Sequence, residues 1–195
     1  RHKEQVLEFF EENGRSIIIK PLFGSGGRNV FQITGENINN LNQVIEAVSR
    51  DGYLVAQEFL PESKEGDTRL FLLNGEVLRY KGKIAALRRV NTGDDLRSNL
   101  HTGGEARPAE ITPEMLHIAE MIKPKLIRDG MFFVGLDIIG HKLIEVNVFS
   151  PGGLFSAGKL NNTDFTIPII RSLEQKLEFR KLYGRSISNC RLATM

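Results

Sequence analysis

More of the architecture is written in Asp137-Ile-Ile-Gly-His-Lys-Leu-Ile-Glu145-Val-Asn147 than in any other part of the chain. It spells two short strands around a turn at Gly140. The surroundings are apolar, with Phe132, Phe133, Val134 and Leu136 before and Val148 after, and three oxygen-bearing side chains interrupt the pattern. Glu145 and Asn147 alternate with valines, so both point to one face of their strand. Asp and Asn are poor strand formers. A carboxylate among large aliphatics is costly to bury without a cation or a donor. Two carboxylates and a carboxamide oxygen suit a hard divalent ion such as Mg2+. The alternative is a polar edge hairpin with solvated acids, and the stretch by itself leaves both open. Register separates them. A two-residue turn at Gly140-His141 sets Asp137 opposite Ile144, off the face of Glu145. A three-residue loop, Gly140 to Lys142, sets Asp137 opposite Glu145, and such loops often end in a bulge. A shared metal site requires the second pairing.

The 195 residues suffice for one good core or two small lobes. With 41% hydrophobic and 26% charged residues the composition is that of a globular protein, and a net charge of +2 makes no case for nucleic acid or an anionic membrane. The single cysteine, Cys190, excludes an intramolecular disulfide and fits a reducing, cytoplasmic compartment. No apolar run reaches transmembrane length. The chain enters a helical pattern at once from Arg1, and it reads as a piece of a longer protein.

Outward from the hairpin, a first helix over about 3 to 12 ends at Asn13-Gly14, and Ile17-Ile18-Ile19-Lys20 is a buried strand finishing on a lysine. Gly24-Ser25-Gly26-Gly27 follows, then a strand from Val30. This order suits a β-hairpin flap over phosphates, with backbone N–H groups and Lys20 facing the anion; a Gly-rich hairpin without ligand is the plainer reading. It is neither a P-loop nor a glycine motif opening a helix. Residues 41 to 50 are helical, and 53 to 59 form a strand ending at Gln57-Glu58-Phe59-Leu60-Pro61. The polar run from Glu62 to Asp67 marks a lobe boundary, and a cleft between lobes is where a nucleotide would sit. Asn74-Gly75 signals a type I′ hairpin. Residues 83 to 90 read as a strand, and Thr112-Pro113 caps a helix that Pro124 should bend and Gly130 ends. A last helix over about 165 to 183 should turn Ile169, Ile170, Leu173 and Leu177 inward. Residues 184 to 195 read as a polar tail with little order of its own. Arg69, Arg89 and Asn99 are planar donors suited to phosphate or carboxylate, and of adjacent Arg88 and Arg89 only one can face a given site.

Taken in order, Ile18-Ile-Lys-Pro-Leu22 with Gly24-x-Gly-Gly27, Arg97-x-Asn-Leu100 with Gly103-Gly104, and Phe133-Val-Gly-Leu-Asp-Ile-Ile-Gly140 with Glu145-Val-Asn147 and Ser150-Pro151 resemble the ATP-grasp ligases, most of all their prokaryotic glutathione synthetase branch. The resemblance implies an α+β fold of two lobes. These are a small flap-bearing lobe, residues 1–60, and a larger antiparallel-sheet lobe with helices, residues 61–183, with the tail 184–195 beyond. It implies ATP, with Lys20, Gly24, Ser25, Gly26 and Gly27 at the phosphates, Gln57, Glu58, Phe59 and Leu60 at adenine, and Asp67 at ribose. Asp137, Glu145 and Asn147 would bind Mg2+, or Mn2+ in its place. Arg69, Arg89 and Asn99 would neutralise the transferring phosphoryl group. The implied activity is an ATP-dependent carboxylate–amine ligase, joining gamma-glutamylcysteine to glycine through an acyl phosphate. Its partners would be small molecules, and a homo-oligomer is left open. The family's N-terminal domain has no counterpart here, so this piece alone is expected to be inactive. After Ser150-Pro151, where the family carries charged substrate-contacting residues, stands Gly152-Gly153-Leu154-Phe155-Ser156. That segment leaves room for a different amine or peptide acceptor. A nucleotide-binding regulatory module without turnover is the third reading.

Overall fold

The computed structural model describes residues 3–24, 27–50, 52–90 and 104–195. The chain divides into two compact units, Arg1–Pro61 and Glu62–Met195.

In the first unit α1 (Lys3–Glu12) leads to β1 (Ser16–Pro21), β2 (Phe31–Thr34), α2 (Leu41–Ser49) and β3 (Leu54–Glu58). The antiparallel sheet has the order β2-β1-β3. Strand alternation does the sorting. Ile17 and Ile19 point to the helices and are buried with Val6, Phe10, Ile33, Leu41 and Val48. Ile18 and Lys20 therefore lie on the opposite face.

In the second unit β4 (Asp67–Leu73) is the central strand, buried along its first six residues. It lies between β10 (Phe133–Ile139) and β8 (Ala86–Val90), with β11 (Lys142–Asn147) outside β10 and β9 (Glu105–Arg107) outside β8. β5 (Glu76–Val77) pairs with β4, joined to it by Asn74 and Gly75, whose φ angles of 55° and 81° are those a type I′ turn needs. β6 (Arg79–Tyr80) and β7 (Lys83–Ile84) form a separate ribbon. Leu70, Leu72, Ala86, Val134, Leu136 and Ile138 make one apolar face, covered by α3 (Pro113–Arg128) through Met115, Ala119 and Leu126. Thr112 caps that helix by accepting from the Met115 amide, and the helix runs on through Pro124. The other face holds Phe71 and Leu87 against Ala157 of α4 (Leu154–Asn161) and Phe165 at the start of α5 (Thr166–Tyr183), with Phe71 stacked on Phe133 at 5.7 Å.

Two expectations change here. Ile170, Leu173 and Leu177 do not turn inward on α5; they are 52%, 40% and 61% exposed. The helix docks through Ile169, Ser172 and Lys176 instead. Ser172 accepts from Asn74 Nδ2. Lys176 lies over the Phe132 ring and donates to the Met195 carbonyl at 2.6 Å, while burial lowers its pKa. A long amphipathic stem can line a packed face while its amine finds a partner, so apolar periodicity chose the wrong side. Nor is the tail shapeless: α6 (Asn189–Ala193) forms at its end, capped by Ser188, and the Cys190 thiol donates to the Arg128 carbonyl. No helix among the described residues is long and apolar enough to cross a membrane.

Gly66 enters β4 at φ 95°, with its Cα hydrogen facing the Arg89 carbonyl, where a Cβ would collide. Gly82 has φ 74° in open space. Gly66→Ala should therefore cost more than the roughly 1–3 kcal/mol of backbone strain alone, and Gly82→Ala no more than that strain; denaturant unfolding of both variants measures this, and equal losses would refute it.

Candidate functional site

The turn between β10 and β11 has two residues, not three: Ile139 pairs with Lys142 and Ile138 with Leu143. Gly140, at φ 56°, takes the first central place of the turn. A regular ladder from there would set Asp137 opposite Ile144 and send Glu145 to the face of Leu136, inside the core. The register instead shifts between Asp137 and Ile138, so that Asp137 pairs with Glu145 and Gly135 with Asn147. Ile144 is the extra residue of a β-bulge, which re-aims the side chains beyond it. The pairing that a shared site requires is present, reached by a bulge after a tight turn rather than by a longer loop.

Asp137 is 2% exposed and heavily engaged. Arg69 donates to it in bidentate fashion, Nε to Oδ1 at 2.7 Å and Nη2 to Oδ2 at 2.7 Å. Arg89 Nη2 lies 2.8 Å from Oδ2, and Asn147 Nδ2 donates to the same oxygen at 3.1 Å. Arg89 is held from its other side by Asp67: Nε lies 3.1 Å from each carboxylate oxygen, and Nη2 also donates to Oδ2. The strands fix these partners, since Asp67 stands opposite Arg89 across β4–β8 and Arg69 opposite Asp137 across β4–β10. All these side chains lie on the sheet face that carries Phe71. Two guanidiniums and two carboxylates balance in charge, as buried ions must. Burial pulls the Arg89 pKa down, but the charge of Asp137 and the hydrogen bond and charge of Asp67 outweigh it and hold the guanidinium above its ordinary value. Arg88, the neighbour, turns to the opposite face and donates to Glu65.

Gly135 makes room for this arrangement. A Cβ there would lie 2.9 Å from Pro151 Cβ and 3.4 Å from Arg69 Cδ. Arg69 Nη1 donates to the Gly152 carbonyl at 3.1 Å, which ties the loop after β11 to the charged array. Gly135 lies within the quoted Phe133–Gly140 segment, but its packing role is not visible there, nor is the Asp67–Arg89 pairing; the available signal is an acid and a base two residues apart, Asp67 and Arg69, on a strand otherwise apolar.

Asp67, expected at ribose, is 3% exposed with both oxygens on Arg89. Glu145 is exposed and Asn147 half-buried. Among the described residues no three His, Cys, Asp or Glu side chains cluster as a metal site by themselves; the hairpin offers two carboxylates and a carboxamide. In the first unit, Lys20 is half-buried and pairs with Val55, while Ile18 pairs with Gln57 on one side and Gln32 on the other. Lys20 and Gln57 thus share the sheet face turned away from α1 and α2. Glu58 pairs with Ile17, so its side chain lies on the other face. Phe59 and Leu60 follow β3, half-buried, and Gly24 and Gly27 lie beyond β1. Ser25, Gly26 and Asn99 fall outside the described residues, as does Arg97.

The fold is that of the ATP-grasp ligases. It is similar to the crystal structure of a D-cycloserine synthetase, TM-score 0.58 and 13% identity over 76% of this chain and 53% of that one. It is similar also to D-alanyl-alanine synthetase A from Vibrio cholerae, TM-score 0.53 and 13% identity over 84% and 54%. Residues 1–162 match the prokaryotic glutathione synthetase ATP-grasp domain, and the chain belongs to that family. Glutathione synthetases similar to it include those of Thermosynechococcus vestitus, 42% identical over 83% of this chain and 49% of the relative, and of Bradyrhizobium diazoefficiens, 34% identical over 90% and 54%. The chain spans about half the length of the curated relatives it matches.

Removing one member of a buried ion pair strands the other, at about 3–5 kcal/mol. Arg69→Met should lose stability of that order in urea unfolding, whereas Lys181→Met, which breaks an exposed pair with Glu178, should change it by less than about 1 kcal/mol. Similar losses for the two would mean that the array contributes nothing particular.

Proposed function

We propose that the protein containing this chain is an ATP- and Mg2+-dependent carboxylate–amine ligase, joining gamma-glutamylcysteine to glycine. The observation that carries the reading is the single face on which Arg69, Arg89, Asp137, Glu145 and Asn147 stand, in a chain of this family. The donor set is all oxygen: the Asp137 and Glu145 carboxylates and the Asn147 carboxamide. That chemistry fits Mg2+, and equally Mn2+. When bound, the ion supplies neutralisation of phosphate charge.

The residues of the chain position and stabilise more than they transfer protons. Lys20 would bring a point charge to the phosphates, together with the glycine-rich stretch Gly24, Ser25, Gly26 and Gly27. The backbone from Gln57 through Glu58 and Phe59 to Leu60 lines adenine. Arg69, Arg89 and Asn99 offer planar donors to the charge that develops as the substrate carboxylate attacks the terminal phosphorus and ADP departs. The amine then displaces phosphate from the acyl phosphate. Among the described residues no histidine is bonded to the array, and no general base is required where charge stabilisation dominates.

A second reading has its own support. From Ser150 to Gly158 the chain carries no charged side chain, and Phe149 and Phe155 are 92% and 75% exposed. This favours an acceptor amine larger and more apolar than glycine, such as a peptide.

The complete protein with ATP, Mg2+ and gamma-glutamylcysteine should release phosphate in a glycine-dependent manner; release that depends on another amine alone would replace glycine, and ATP binding without release under any acceptor would remove the ligase reading. Glu145→Gln should lower kcat at least about a hundredfold while leaving the melting temperature unchanged, and near-normal turnover would take Glu145 out of the mechanism.

A further inference from the structure

We infer that Asp67 is a positioning residue, the permanent counter-ion that keeps Arg89 in place whatever Asp137 is bound to; the inference rests on the ligase reading above. Arg89 is 8% exposed and lies between two carboxylates, Asp137 and Asp67. Asp137 is shared: Arg69 takes both of its oxygens, and Asn147 adds a donor to the oxygen that Arg89 uses. Asp137 is also the residue proposed to turn toward a divalent cation. Each new demand on that carboxylate weakens its hold on Arg89. Asp67 has no part in the proposed cation site. Its side chain is 1% exposed, it stands directly opposite Arg89 across β4–β8, and both of its oxygens receive the Arg89 guanidinium.

A buried guanidinium without a counter-ion is strongly unfavourable. Were Asp67 absent, an Arg89 whose other partner had turned to a cation would leave the face or draw in water. With Asp67 present, Arg89 stays buried and oriented. Gly66 contributes to the same end, since its missing side chain lets the Arg89 backbone lie against the start of β4. A ribose contact asks for a carboxylate that a ligand hydroxyl can reach; Asp67 is instead enclosed behind the arginine.

Two arms test this in the complete protein. In the ligand-free protein, the Arg89 Nε proton is followed by nitrogen-15 NMR, its assignment fixed by Arg89→Lys. The slowly exchanging signal should persist in Asp137→Asn and vanish in Asp67→Asn. Persistence in Asp67→Asn, or loss in Asp137→Asn, overturns the inference. Should Asp67→Asn fail to fold, Asp137→Asn alone decides by the same criterion. In the kinetic arm, Asp67→Asn should lower kcat about tenfold or more at saturating ATP with the ATP dissociation constant within about twofold. The penalty for replacing ATP by its 2′- and 3′-deoxy analogues should be equal in wild type and variant. A raised ATP dissociation constant together with a lost deoxy penalty makes Asp67 a ribose ligand and overturns the inference. Wild-type protein that releases no phosphate under any acceptor removes the ligase reading, and the NMR arm still decides what Asp67 does.

Discussion

The four charges Asp67, Arg69, Arg89 and Asp137 are the constraint around which the second unit is arranged. Each is nearly out of reach of solvent, so each needs an opposite charge at contact distance. Strand order meets that need. With β4 between β10 and β8, Arg69 falls opposite Asp137 and Asp67 opposite Arg89. Another neighbour for β4, or a shift of one residue in either ladder, would strand charges in the interior. The same register places Leu70 and Leu72 against Leu136, Val134 and Ala86 on the other face. Charge pairing and hydrophobic burial thus specify one topology, which is the kind of agreement between levels that makes a sequence foldable.

Stability is not an evident reason for having these charges. Buried ion pairs replaced by well-packed apolar groups are often neutral or more stable, and the same sheet face shows that alternative a few residues away, where Phe71, Phe133 and Leu87 form an apolar cluster with Ala157 and Phe165. One strand carries both regimes: Asp67 and Arg69 at its start, Phe71 and Leu73 at its end. The second unit thus has a charged end whose partners are fixed by strand register, backed by an apolar core.

Much of this was legible in the residues. The helix over Lys3–Glu12, the strand through Lys20 (which runs one residue further, to Pro21), the Asn74-Gly75 hairpin and the Thr112 cap all follow from short-range chemistry, and the structure has each of them. The facing of Asp137 and Glu145 was legible as a requirement, but its means was not, because a bulge is a local compromise between turn and ladder that no residue type announces. The partners of Asp67 were not legible at all; Arg89 is a neighbour only after β4 and β8 pair. The face of α5 was misread because apolar spacing says which residues can be buried, and not which side of a helix the rest of the chain reaches. Met195 and Phe132, far apart in sequence, settle that for Lys176.

The bulge at Ile144 has a further meaning. Seven residues separate Asp137 from Glu145, and a tight turn with one surplus residue uses an odd number just as a wider loop without one does. What keeps the two acids of this hairpin on one face is then parity. Its tip is free to change shape, lengthening or tightening by pairs of residues, as long as the count between the two acids stays odd or a second irregularity restores it. A single inserted or deleted residue, harmless in most exposed turns, would here turn an acid toward Leu136 and an aliphatic toward Arg69. The tolerance of this turn to change is a matter of arithmetic before it is one of chemistry.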